Sequence, residues 1–159
     1  MSLLDLDAWL LELATQVELV YGPLADRKIF PDGVDLTLVE GAIANEEHLE
    51  LARDIRRKTR VLVALGDCAV TGNVTALRNL VGNPADLLQQ IYLERGDPPA
   101  ATPVAPGIVP RLIERVVPLH AVVPVDHFLP GCPPSAPRIR ALLEALLAGV
   151  EPPEVGRFG

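Results

Sequence analysis

Apolar and polar positions along this chain fall into short blocks whose period changes from one block to the next. Leu3, Leu6, Leu10 and Leu13, with Trp9 alongside, recur at helical spacing and predict a helix to about Ala14, with Ser2 and Asp5 as its capping box. Val17–Tyr21 reads as a short strand ended by Gly22-Pro23, and Val34–Val39 as a second strand closed by Glu40-Gly41. Asn45 is placed to cap a helix carrying Glu46 and Glu47 in its first turn and Arg53, Arg56, Arg57 and Lys58 towards its end, the charge order a helix dipole favours. Val61-Leu62-Val63-Ala64-Leu65 is apolar at every position, as in a strand buried on both faces of a parallel sheet, and Gly66-Asp67 breaks it. Beyond Cys68, helical patterns are expected at about Val74–Leu80 and Ala85–Leu93, the second started by Asn83-Pro84. Ile108–Val117 reads as a short helix, and Ala121–Asp126 as a strand whose Pro124 confines it to an edge or a bulge. Phe128–Pro134 is a rigid turn, after which Ser135 opens a final helix with its face on Ile139, Leu142, Leu143, Leu146 and Leu147, stopped by Gly149.

Helices and strands in this alternation predict a three-layer α/β domain with a mostly parallel sheet. One feature is out of place, because such domains usually begin with a strand and this chain begins with a helix. The length of 159 residues suits one domain, 1–159, with its core in 1–95 and 118–149. Residues 96–117 are Pro-rich and expected to wrap over the surface. A formal net charge of −7 argues against a nucleic-acid surface. No apolar run approaches the roughly 20 residues of a membrane span, and no secretory signal precedes the first helix, so a cytoplasmic setting is expected.

The chemistry gathers at three strand exits: Glu40-Gly41, Gly66-Asp67-Cys68 and Gly131-Cys132. Parallel strands share a carboxyl edge, where ligands of open α/β sheets bind, so turns distant in sequence meet there. Thiolates ligate soft metals and iron–sulfur clusters, and a four-iron cluster usually takes four of them. The two cysteines here are half that number. Small buried hydrophobes are the plainer role for free cysteines, but both lie in Gly/Pro turns rather than on apolar faces. Asp126 and His127, close before Cys132, offer a zinc site with Cys68 as an alternative, although a satisfied loop histidine is the plainer role for His127. Glu40 is a candidate for a proton-handling group or an outer partner of a cofactor. No Ser/His/Asp set, phosphate-binding glycine fingerprint or paired acid–base carboxylates stand out.

Leu38-Val39-Glu40-Gly41, Gly66-Asp67-Cys68-Ala69-Val70-Thr71-Gly72-Asn73 and Pro124–Pro134 occur in an order and separation that resemble the small subunit of nickel–iron hydrogenases and its relative, the 20 kDa subunit of NADH:quinone oxidoreductase. The second motif is most similar to the small subunit of the cytoplasmic NAD-reducing (bidirectional) group, as is Arg157-Phe158-Gly159. The resemblance implies a flavodoxin-like domain holding a [4Fe-4S] cluster beside the nickel–iron site of a separate large subunit. It implies electron transfer towards a diaphorase module that reduces NAD, with no activity of the chain alone. By the same resemblance Cys68 and Cys132 are two of the cluster ligands, and Glu40, Gly41, Gly66, Asp67, Thr71, Gly72, Gly131 and Pro133 line the cofactor. The family's first strand and its Cys-x-x-Cys turn are expected just ahead of Met1, so this chain reads as lacking one strand and two ligands. A quinone-reductase 20 kDa subunit and a cluster-free structural subunit are the competing expectations.

Overall fold

The computed structural model describes residues 4–22, 25, 27–96, 101 and 107–153. Its centre is β3 (Thr59–Leu65), paired in parallel with β1 (Val34–Glu40) on one side and β5 (His127–Leu129) on the other. Side chains alternate across a strand, and β3 shows what that requires of its sequence. Leu62 and Ala64 pack on one face with Ala52, Ile55, Ala69 and Leu119. Val63 and Leu65 pack on the other with Trp9, Leu129, Ile139 and Leu142. Leu62, Val63 and Ala64 are fully buried, which explains the unbroken apolar run.

Three layers follow. Helix α2 (Glu46–Lys58) supplies Ala52 and Ile55 to the first face, while α1 (Ala8–Ala14) and α5 (Ala136–Leu147) cover the second. The Asn45 side chain caps α2 by accepting from the His48 amide at 2.8 Å, and Asn83 caps α4 (Pro84–Gln89) by accepting from the Asp86 amide at 3.0 Å, both as the residue types predict. Ser135 stands at the start of α5 but makes no side-chain cap bond. The α/β class and the parallel sheet are as expected, and no described helix is long and apolar enough to cross a membrane.

Three local expectations are corrected. Val17–Tyr21 makes no sheet ladder among the described residues, and Val17 and Leu19 are exposed. A strand needs a neighbour, and the outer edge of β1 is likewise unpaired among the described residues. Leu112–Val117 is strand β4 rather than part of a helix, pairing antiparallel with β2 (Ile43–Asn45). Its Ile113, Val116 and Val117 are β-branched and suit a ladder better than a helix. Pro124 donates no ladder bond, and β5 starts only at His127, with Leu119–Ala121 a 3₁₀ turn before it.

Residues Asn73–Leu80 form a 3₁₀ helix, and Val74, Leu77 and Leu80 point to solvent instead of the core. Polar side chains hold this element. Asn79 donates to the Val116 carbonyl and accepts from the Val116 amide, both at 2.8 Å, and Arg78 donates to the carbonyls of Ala44 and Ile113. Asn79 thereby meets both main-chain hydrogen-bonding groups of a strand residue, as a neighbouring strand would. The Ser2 cap, residues 97–100 and 102–106 of the Pro-rich segment and the closing Arg157–Gly159 lie outside the described residues.

Candidate functional site

The sheet register brings the three strand exits to one level. Glu40 pairs with Leu65, and Leu65 with Leu129, so Gly41, Gly66 and Pro130 all leave the carboxyl edge from the same row. Neighbouring strands lie about 4.8 Å apart, which sets the Gly66 and Pro130 turns side by side and the Glu40 turn one strand further along.

The two cysteine turns are joined by hydrogen bonds as well as by proximity. The Gly66 amide donates to the Leu129 carbonyl at 2.8 Å, and the Asp67 amide to the Gly131 carbonyl at 2.9 Å. In return, the Gly131 amide donates to Oδ1 of Asp67 at 2.6 Å. Gly66, with φ 83°, turns the chain out of β3 into the short helix α3 (Asp67–Thr71), which carries Cys68 in its first turn. Gly131, with φ 145°, leaves no room for a side chain, since an added Cβ would lie 2.6 Å from Cα of Pro134. Gly72, φ 86°, ends α3, and its amide donates to the Cys68 carbonyl at 2.9 Å. Thr71 spends its hydroxyl on the Asp67 carbonyl at 2.9 Å.

Both cysteines are free, Cys68 half-buried and Cys132 exposed beside the exposed Pro133. Thr75, which the sequence motifs did not single out, directs its hydroxyl at Sγ of Cys68 from 3.9 Å. Only the 3₁₀ geometry of Asn73–Leu80 puts it there, so no pattern in the sequence marked it. Glu40 and Gly41 are exposed at the far end of the row. Two soft thiol donors on abutting turns fit two corners of an iron–sulfur cluster. No group of three or more His, Cys, Asp and Glu side chains stands close enough to hold a metal ion among the described residues. A zinc site built on Asp126 finds no support in this arrangement, because that carboxylate is engaged elsewhere.

Asp126 instead fastens β5 to β3. Its Oδ2 accepts from the Leu62 amide at 2.7 Å and from Arg56 Nη1 at 2.6 Å, and Arg56 also donates to the Thr59 carbonyl at 2.6 Å. Burial alone raises the Asp126 pKa, but the Arg56 guanidinium and the Leu62 amide outweigh it and hold the carboxyl below its ordinary value. A depressed carboxyl stabilises the fold fully above the unfolded value of about 3.9, and that contribution is lost as pH falls through the folded pKa. Arg56→Ala is expected to lower stability near neutral pH by about 1–3 kcal/mol and to shrink the acid-dependent loss, because Asp126 then titrates closer to its unfolded value. Urea denaturation across the acid range reads both effects, and an unchanged acid limb would remove Arg56 from this role.

An open groove of about 560 Å³ beside α2, lined among others by Tyr21, Phe30, Glu50, Arg53 and Arg57, holds none of the site residues named by the sequence.

A family model described as NADH ubiquinone oxidoreductase, 20 kDa subunit, matches residues 1–146. The chain is similar to the NAD-reducing hydrogenase HoxS subunit delta of Cupriavidus necator, with 37% identity over 152 residues, 94% of this chain and 72% of that protein. It is also similar to a subunit of the F420-non-reducing hydrogenase of Methanocaldococcus jannaschii, with 39% identity over 157 residues, 95% of this chain and 52% of that protein. The chain thus spans about half the length of that relative. Among solved structures, a crystal structure of an NAD+-reducing [NiFe]-hydrogenase in the H2-reduced state matches with a TM-score of 0.91 and 40% identity, covering 100% of this chain and 90% of that one.

Proposed function

The chain belongs to the family of the NADH ubiquinone oxidoreductase 20 kDa subunit, and from that premise we propose that it is the electron-transfer small subunit of an NAD-linked nickel–iron hydrogenase. Its partners on this reading are a large subunit that splits hydrogen and a diaphorase module that reduces NAD, assembled in the cytoplasm. Cys68 and Cys132 hold two corners of a [4Fe-4S] cluster. Such a cluster takes up and releases electrons singly.

The observation that carries the reading is the pairing of the two cysteine turns, in register at the carboxyl edge and hydrogen-bonded in both directions. A fold does not by itself specify a function, but two free thiols brought together in this way are a donor set. The residues around them act on the thiols' surroundings. Thr75 offers a hydroxyl to the Cys68 sulfur, and hydrogen bonds to ligating sulfurs tune a cluster's potential. Val74, Leu77 and Leu80, exposed just after the Cys68 turn, give an apolar surface of the kind a partner subunit covers and from which it excludes water.

Anaerobic purification of the chain with its complex, followed by iron and acid-labile sulfide assay, tests the proposal. Iron and sulfide in equal amounts, together with a co-purifying nickel-containing subunit, are the expected result. A complex in which this chain carries neither iron nor sulfide would return it to the cluster-free structural reading.

A further inference from the structure

We propose that Asp67 is a positioning residue, the strut that sets the separation of Cys68 from Cys132; this rests on the reading that the two thiols bind one cluster. Asp67 immediately precedes Cys68, and Gly131 immediately precedes Cys132. Residue 67 holds residue 131 twice, through its amide to the Gly131 carbonyl at 2.9 Å and through its carboxylate to the Gly131 amide at 2.6 Å. A short bond between a carboxylate and a backbone amide is stronger and more directional than a neutral one.

Asp67 makes no ion pair with a cation among the described residues. Its Oδ1 is spent on the partner turn. Cys132 is exposed, and this bond ties its turn to the one that carries Cys68. Position and charge are then separable by substitution. Asp67→Asn keeps an oxygen acceptor at the same reach and loses the charge. Asp67→Glu keeps the charge and moves the acceptor by one methylene. Asp67→Ala removes both.

The test uses the intact complex. Iron release to a chelator, the electron paramagnetic resonance spectrum of the reduced cluster, and hydrogen exchange of the peptide containing Gly131 are followed for each variant. Asp67→Asn is expected to stay close to wild type. Asp67→Glu and Asp67→Ala are expected to release iron about ten-fold faster or more, with an altered spectrum and faster exchange at Gly131. The Asn/Glu pair decides the matter even where the alanine variant does not fold. Wild-type behaviour of Asp67→Glu, or damage by Asp67→Asn equal to that by Asp67→Ala, overturns the strut. A wild-type complex with no cluster signal overturns the functional reading as well, whereas a normal wild-type cluster with indifferent variants overturns the strut alone.

Discussion

Cys132→Ser is expected to strip the cluster from the purified complex while leaving the fold of this chain intact. The expectation of an intact fold comes from exposure. Cys132 lies outside the buried set, and surface substitutions away from caps and cores usually change stability by no more than about 0.5 kcal/mol. The expectation of a lost cluster comes from donor chemistry. Serine replaces a soft thiolate with a hard, poorly ionised hydroxyl. Loss of an outer partner of a metal ligand already lowers affinity about 10–100-fold, and loss of the ligand itself exceeds that. Hydrogen-dependent NAD reduction should fall with the iron content. The result also separates ligand from packing residue, because an exposed cysteine has little burial to contribute as a hydrophobe. Full iron content and full turnover in Cys132→Ser would exclude it as a ligand. Cys68→Ser should behave alike with a small added loss of stability, since Cys68 is half-buried and receives the Thr75 hydroxyl.

The parts of this fold legible in the sequence are those where one residue's environment is set by its near neighbours in the chain. The unbroken apolar run of β3, the Asn45 cap with acids at the start and bases at the end of α2, and the Ile139–Leu142–Leu143 face of α5 each carry their own periodic signal. The strand exits were legible for the same reason, as glycines that end apolar runs. What failed depended on distant partners. Val17–Tyr21 has strand composition but nothing beside it to pair with among the described residues. Leu112–Val117 became a strand because Ile43–Asn45, far upstream, lies against it. The apolar residues of Asn73–Leu80 follow a helical pattern, yet they face solvent, and Arg78 and Asn79 anchor that element by polar bonds to strands the local pattern does not reveal. At the site, the motifs named Asp67 as lining a cofactor. Its carboxylate also reaches the opposite turn, a contact between residues 67 and 131 that no local pattern encodes.

Gly131→Ala should then be the most disruptive single methyl group at this edge. An added Cβ would lie 2.6 Å from Cα and 2.7 Å from N of Pro134, and 3.1 Å from C of Pro133, all backbone atoms with no side-chain rotamer to yield. The backbone φ of 145° is one that L side chains rarely adopt. Strain of that kind costs about 1–3 kcal/mol, and overpacking adds about 1–3 kcal/mol. The turn can relieve both only by shifting Gly131 and the Cys132 segment relative to Pro134. That motion breaks the Gly131–Asp67 bond and displaces one thiol, so iron content should fall together with stability. Gly41→Ala is the matched control for stability. Its φ of 86° is also left-handed, but an added Cβ meets nothing within 4 Å, leaving only a backbone penalty of about 1–2 kcal/mol. Urea denaturation and iron assay of the two variants side by side therefore isolate crowding from backbone strain. If Gly131→Ala keeps its iron and loses no more stability than Gly41→Ala, the close packing of the Cys132 turn is not what holds the second thiol in place.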